Sequence, residues 1–239
     1  MEKVILGKSP VLKLPLRPKN PSGLEMAIYR FQVKAYKHYH KIKDLDKTSP
    51  KEVKEAEETI AHLNRERAKI NAHAQLQEQL LADLEAYRDD NKDKSSPELG
   101  MENHHPTNRL VSNLYAVSEP QPSPNHAAHH IVMGNGRVRA MTDARLQMFM
   151  FGIGINDSMN GIWLPRSTAY KGHYTTPNAP THSRIHGNNY QRWVGKLADI
   201  RHNESAFKSR LVRIKSQLKD GSYPPQILMK KDPTWNPPE

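Results

Sequence analysis

Four histidines flank the Asn160-Gly161 step in the second half of the chain, His129-His130 before it and His182 and His186 after it. These residue types suit metal-assisted hydrolysis. Two adjacent imidazoles can divide the work, one on a metal and one on water. A pair spaced i and i+4 on a helix brings two more nitrogens to a single face, about one turn apart. Each feature has a plainer reading when taken alone. A His-His pair in a basic protein is usually exposed polar surface, and an i,i+4 pair is more often a solvated helix face.

Composition narrows the chemistry further. The 239 residues, 36% hydrophobic and 26% charged, suit one large domain or two small ones with a modest core. Cysteine is absent, which excludes disulfides, thiolate-metal sites and cysteine nucleophiles. Any metal must therefore be held by imidazole, carboxylate or carbonyl groups. The net charge of +11 is uneven: residues 1–100 carry 19 Lys+Arg against 16 Asp+Glu, whereas residues 101–239 carry 17 against 9. A basic, histidine-rich second half suits a polyanionic partner, nucleic acid first. No run approaches the roughly 18 apolar residues of a membrane helix. Met1 to Pro15 lacks the small-residue cleavage site of a secretory signal.

The elements that must position the histidines follow from periodicity and breakers. Pro10, Pro15, Pro18 and Pro21 among basic residues make 1–23 an extended basic arm. Leu24, Ile28, Phe31, Ala35, Tyr39 and Ile42 keep helical spacing until Thr48-Ser49-Pro50 breaks it. A second helix runs from about Lys51 to Tyr87 on Val53, Ala56, Ile60, Leu63, Ile70, Ala74, Leu81 and Leu84, with Arg67 and Gln77 interrupting the seam. Residues 24–88 thus form a helical hairpin or coiled-coil-like region. Residues 89–119, polar and proline-dotted, are expected as a linker with little regular structure. A compact domain over 120–223 then holds a strand at His129–Val132, a turn at Gly134-Asn135-Gly136 and a helix from Asp143 to Phe151 capped by Thr142. Asn160-Gly161 opens an apolar Ile162-Trp163-Leu164, and helices follow over Thr181–Ile200 and Glu204–Lys219. Residues 224–239 make a proline-rich tail.

Three segments together resemble the AHH nucleases of the HNH/endonuclease VII superfamily. They are Ala128-His129-His130-Ile131-Val132, then Gly154-Ile155-Asn156-Asp157-Ser158-Met159-Asn160-Gly161-Ile162-Trp163-Leu164-Pro165, then Thr181-His182-Ser183-Arg184-Ile185-His186 with Tyr190. The resemblance covers 127–195 and implies a ββα-metal core. The fold class expected is therefore mostly α with a small β component, an N-terminal helical hairpin plus a C-terminal ββα-metal nuclease domain. It also implies that His129, His182 and His186 bind one divalent metal ion (Mg²⁺, Zn²⁺, Mn²⁺ or Ni²⁺). His130 would be the general base, and Asn160 would tie down the loop that orients the base strand, its Gly161 neighbour permitting a tight turn. A bulge or bend at the His pair is needed to redirect one ring, because neighbouring residues on a strand face opposite ways. Arg184, Arg166 and Lys171 are candidate phosphate contacts. Asn156 and Asp157 are expected as loop or capping residues, and Trp163 and Trp193 as core. His173 could replace one helical ligand but fits a surface loop better. His104-His105 is discounted as a second pair without downstream partners. Gly187, straight after His186, departs from the family pattern and could fray the ligand helix.

The resemblance implies a metal-dependent, nonspecific endonuclease, DNA favoured over RNA, acting as a secreted antibacterial toxin. The partners would be nucleic acid, a cognate immunity protein and a secretion-machine component engaging residues 1–100. The protein would be made in the bacterial cytoplasm without a signal peptide and exported by a dedicated system into a target cell. Two other classes stay open: a non-catalytic nucleic-acid-binding protein on the same fold, or a structural adaptor working through its helical N-terminal region.

Overall fold

The structure, a computed structural model, describes residues 13–19, 21–43, 48–200 and 203–238. The chain divides into two compact units, residues 1–77 and 78–239. The arm expected at 1–23 lies mostly outside the described residues, and 13–19 form neither helix nor strand.

In the first unit, α1 (Gly23–Lys43) lies against the opening part of α2 (Pro50–Lys92). Lys34–Glu66 (2.7 Å) and Lys41–Glu55 (3.6 Å) advance along α1 while receding along α2, so the two helices are antiparallel, the expected hairpin. Exposed pairs of this kind contribute little, because solvent screens them; the half-buried seam does the larger share. That seam departs from the sequence reading at Ile60 and Leu81, which are exposed, and at Gln77, which is half-buried.

Past Gln77, α2 continues into the second unit and buries Leu84, Tyr87 and Asn91. Residues 89–119 are not a linker. They complete α2 and carry α3 (Ser96–Gly100) and α4 (Asn108–Ala116). Leu99, Leu110 and Leu114 are buried, the last two against Ala128 and Trp163. A few apolar anchors among polar neighbours are enough to fix short helices to a core.

The sheet has two antiparallel strands among the described residues, β1 (His126–His130) and β2 (Gly161–Pro165), paired from His126↔Pro165 to His130↔Gly161. Helix α5 (Arg139–Met150) starts before the expected Asp143, and Thr142 lies inside it rather than capping it. The cap comes from elsewhere: Gln191 Oε1 accepts from the amides of Arg137 (3.0 Å) and Val138 (3.1 Å). Gln191 belongs to α6 (Asn188–Leu197), and α7 (Glu204–Asp220) ends at Gly221 in the left-handed conformation (φ 87°). The tail is anchored too. Ile227 is fully buried, and Asn189 donates to the carbonyls of Gln226 and Lys230. The architecture is mostly α with a small β component, as expected.

Helices α5 and α6 meet closely at Gly195, where a Cβ would lie 2.5 Å from the backbone carbonyl of Ala140. Gly195→Ala is expected to cost about 1–3 kcal/mol by overpacking. At roughly 2–4 °C per kcal/mol for a chain of this size, calorimetry should show a clear fall in Tm. An unchanged Tm would contradict this close approach.

Candidate active site

His129 and His130 are adjacent on β1, and both are nearly buried, 3% and 6% exposed. The expected bulge is absent: His129↔Ile162 and His130↔Gly161 are consecutive rungs of a regular ladder. Because among the described residues β1 has a strand on one side only, rings leaving its two faces can both border a cavity beside its other edge. The cavity, about 180 Å³, is lined by His104, His105, His129, His130, His182 and His186 among others.

Asn160 holds the ladder beyond the end of β1. Its side-chain oxygen accepts from Val132 N (2.7 Å), and its amide donates to the carbonyls of Val132 (3.1 Å) and Ile155 (2.9 Å). Its own carbonyl accepts from Ile131 N at 2.7 Å. Gly161 is not there for turn geometry. Its φ of −107° is open to any residue, but a Cβ would sit 2.7 Å from Leu110 Cδ1. The glycine lets α4 close over β2.

The second histidine pair is not carried on a helix. His182–Arg184 is a single 3-10 turn, Ile185 is buried, and α6 begins only after Gly187, which occupies the N-cap position. The departure noted at Gly187 thus marks the helix start rather than a frayed interior. Even so, His129, His182 and His186 each offer a ligand nitrogen, and these nitrogens lie within 4.8 Å of one another. The three ring centroids are 4.9–5.3 Å apart.

Across residues 110–225 the chain matches the family model described as AHH, a nuclease family of the HNH/ENDO VII superfamily with conserved AHH. Residues 110–225 belong to the AHH nuclease family. No curated protein and no solved structure matches the chain. The AHH segment begins within α4, and its ββα unit corresponds to β1, β2 and the turn leading into α6.

The electrostatics of the AHH site favour neutral imidazoles. Burial holds His129 well below its ordinary range, with His182, His186 and His130 adding repulsion. Burial likewise lowers His130 to about 4, partly opposed by its hydrogen bond to Asn156, and lowers His182 to about 4 with help from His186 and Arg166. His186 is lowered by burial and by His105. Neutral nitrogens keep the lone pairs that a cation needs. At His129 the free lone pair is assignable. The Tyr190 hydroxyl must donate to the Ile131 carbonyl (3.0 Å), so it accepts at His129 Nε2 (3.2 Å), which leaves Nδ1 unprotonated.

These depressed values have a consequence for stability. As pH falls from about 6.5 to about 4, the unfolded chain takes up protons that folded His130 and His182 do not, so the folded state is destabilised in that window. Metal-free protein should show Tm falling over this range, with a shallower fall in a His130→Gln, His182→Gln double variant. Identical slopes would contradict the neutral assignment.

The remaining candidates are dispersed. Arg166 is exposed and near enough to lower His182. Arg184 turns to the Leu228 carbonyl (3.3 Å), and Lys171 is exposed after the 3-10 turn Thr168–Tyr170. His173 stacks edge-on to His126 and binds Thr175 Oγ1. Trp163 and Trp193 are core residues. Asp157 accepts from Met159 N, a capping role, and also takes two hydrogen bonds from Arg88 (2.8 and 3.1 Å). His104-His105, contrary to the sequence expectation, is part of the site: the two rings line the cavity and lie 5.9 and 6.1 Å from that of His130. Sequence spacing carries no hint of this, because the approach depends on how α3 and α4 fold back.

Proposed function

We propose that the protein is a metal-dependent endonuclease that hydrolyses phosphodiester bonds, with DNA as its principal substrate. The observation that carries this reading is a set of three clustered imidazoles beside a fourth, buried one on the adjacent strand position. His129, His182 and His186 would hold one divalent cation; three neutral nitrogens fit such an ion and leave positions for phosphate and water. The bound ion supplies charge stabilisation at the phosphate and leaving oxygen. His130 takes the proton from the attacking water. Asn160 keeps β1 in register with the loop, so that the base stays beside the ligands. Arg166 contacts a phosphate next to His182, while Lys171 and Arg184 hold flanking backbone in a salt-sensitive, sequence-independent way.

We further propose that this nuclease is a bacterial toxin, neutralised by an immunity protein that covers the cavity. Residues 1–100 would engage the machine that exports it. Among the described residues no helix is long and apolar enough to cross a membrane. Induced expression in bacterial cytoplasm tests this. Loss of viability with degraded chromosomal DNA, absent for His130→Ala, is expected. Degraded RNA with intact DNA would overturn the substrate assignment, and viable wild-type expressers would overturn the toxin role.

A further inference from the structure

Asn156 connects His130 to a carboxylate that lies outside the AHH match. His130 Nε2 is 3.0 Å from Asn156 Oδ1. The amide nitrogen of Asn156 donates to Glu102 Oε1 (2.8 Å) and to the Asn103 carbonyl (2.9 Å). Both amide hydrogens are thus spent on acceptors, and a flipped amide would aim its oxygen at a carboxylate and a carbonyl. The oxygen facing His130 has only lone pairs to offer, so the ring must present an N–H there. The other Glu102 oxygen accepts from the Tyr87 hydroxyl at 2.8 Å. Tyr87 is nearly buried, and burial keeps its hydroxyl protonated and donating. Asn156 itself is 1% exposed, its carbonyl held by Asn113 (2.8 Å) and its amide N–H by the Tyr87 oxygen (3.3 Å).

We propose that Glu102 and Asn156 are positioning residues that fix His130 as the Nε2–H tautomer and leave Nδ1 as the nitrogen that receives the proton. This rests on the reading of His130 as general base. In the step, one water proton passes to Nδ1 as the water oxygen bonds to phosphorus; the P–O bond to the leaving oxygen breaks, and that oxygen departs with the bonding pair and takes up a proton from solvent. His130 becomes an imidazolium whose Nε2–H stays on Asn156 Oδ1. Glu102, one amide away, stabilises that cation. The stretch 102–105, supplying Glu102, the Asn103 carbonyl and the two rings beside His130, therefore belongs to the site although the family match starts at residue 110.

The test is ¹H–¹⁵N correlation NMR of the His130 ring in the full-length chain, read beside steady-state plasmid cleavage. Wild type should show protonated Nε2 and unprotonated Nδ1. Glu102→Gln retains an acceptor for Asn156, so it should keep that tautomer. It lacks the charge, so kcat should fall about 10–100-fold with KM unchanged. Asn156→Leu should bring in the Nδ1–H form and lower kcat further; should it fail to fold, the wild-type and Glu102→Gln spectra decide. A wild-type ring protonated at Nδ1 would overturn the proposal even if the protein cleaves DNA. So would Glu102→Gln with wild-type kcat. A protein that cleaves nothing but shows the Nε2–H ring would sink the nuclease reading and leave the tautomer assignment standing.

Discussion

His130→Ala should lower kcat for phosphodiester cleavage by about 10²–10⁴-fold, the range for loss of a positioned general base. Metal affinity should stay close to wild type, because the three clustered ligand nitrogens belong to His129, His182 and His186. The separation of effects is the informative part. His130 is 6% exposed and faces Asn156, so alanine leaves a small polar void beside the cavity without removing a member of the cluster. Isothermal titration of a divalent ion, run next to single-turnover cleavage, reads both quantities on one preparation. Lost metal binding in His130→Ala would move His130 into the ligand set and leave the base unassigned.

His129→Ala should do the reverse and abolish both. His129 is the buried member of the trio, and its ring approaches both other histidines edge-on. Its removal leaves two ligands on one short, partly exposed stretch, which cannot enclose an ion. The expected loss of affinity exceeds the roughly 10–100-fold typical of an outer-shell partner. Tyr190→Phe, which deletes the hydroxyl that fixes the His129 tautomer, should fall within that smaller range. Titration of the three proteins with the same ion orders them. Wild-type affinity in His129→Ala would contradict the proposed ligand set.

Much of this was legible in the residues themselves. The His pair, the Asn-Gly step and the later histidines carry local chemistry, and hydrophobic spacing located both hairpin helices and α7. What the sequence did not reveal depends on contacts between distant segments. The approach of His104-His105 to His130 follows from short helices that a polar composition disguises, since Leu99, Leu110 and Leu114 are widely spaced anchors. The turn that leads into α5 is held by Gln191, more than fifty positions away. Asn156 read as a loop residue because its partners, Glu102 and His130, lie far off on either side in the chain. The i,i+4 spacing of His182 and His186 suggested a helix, yet the three-ring cluster is built by a 3-10 turn and a buried Ile185 instead. Spacing identified the ligand candidates but not the backbone that brings them together.

The most direct test is cleavage of supercoiled plasmid by the purified full-length protein, with Mg²⁺, Mn²⁺, Zn²⁺ or Ni²⁺ in turn and with excess chelator. The account predicts nicked and linear product with at least one of these ions and none with chelator. Cleavage that persists at full rate in chelator, or no cleavage of DNA with any of the four, would contradict it.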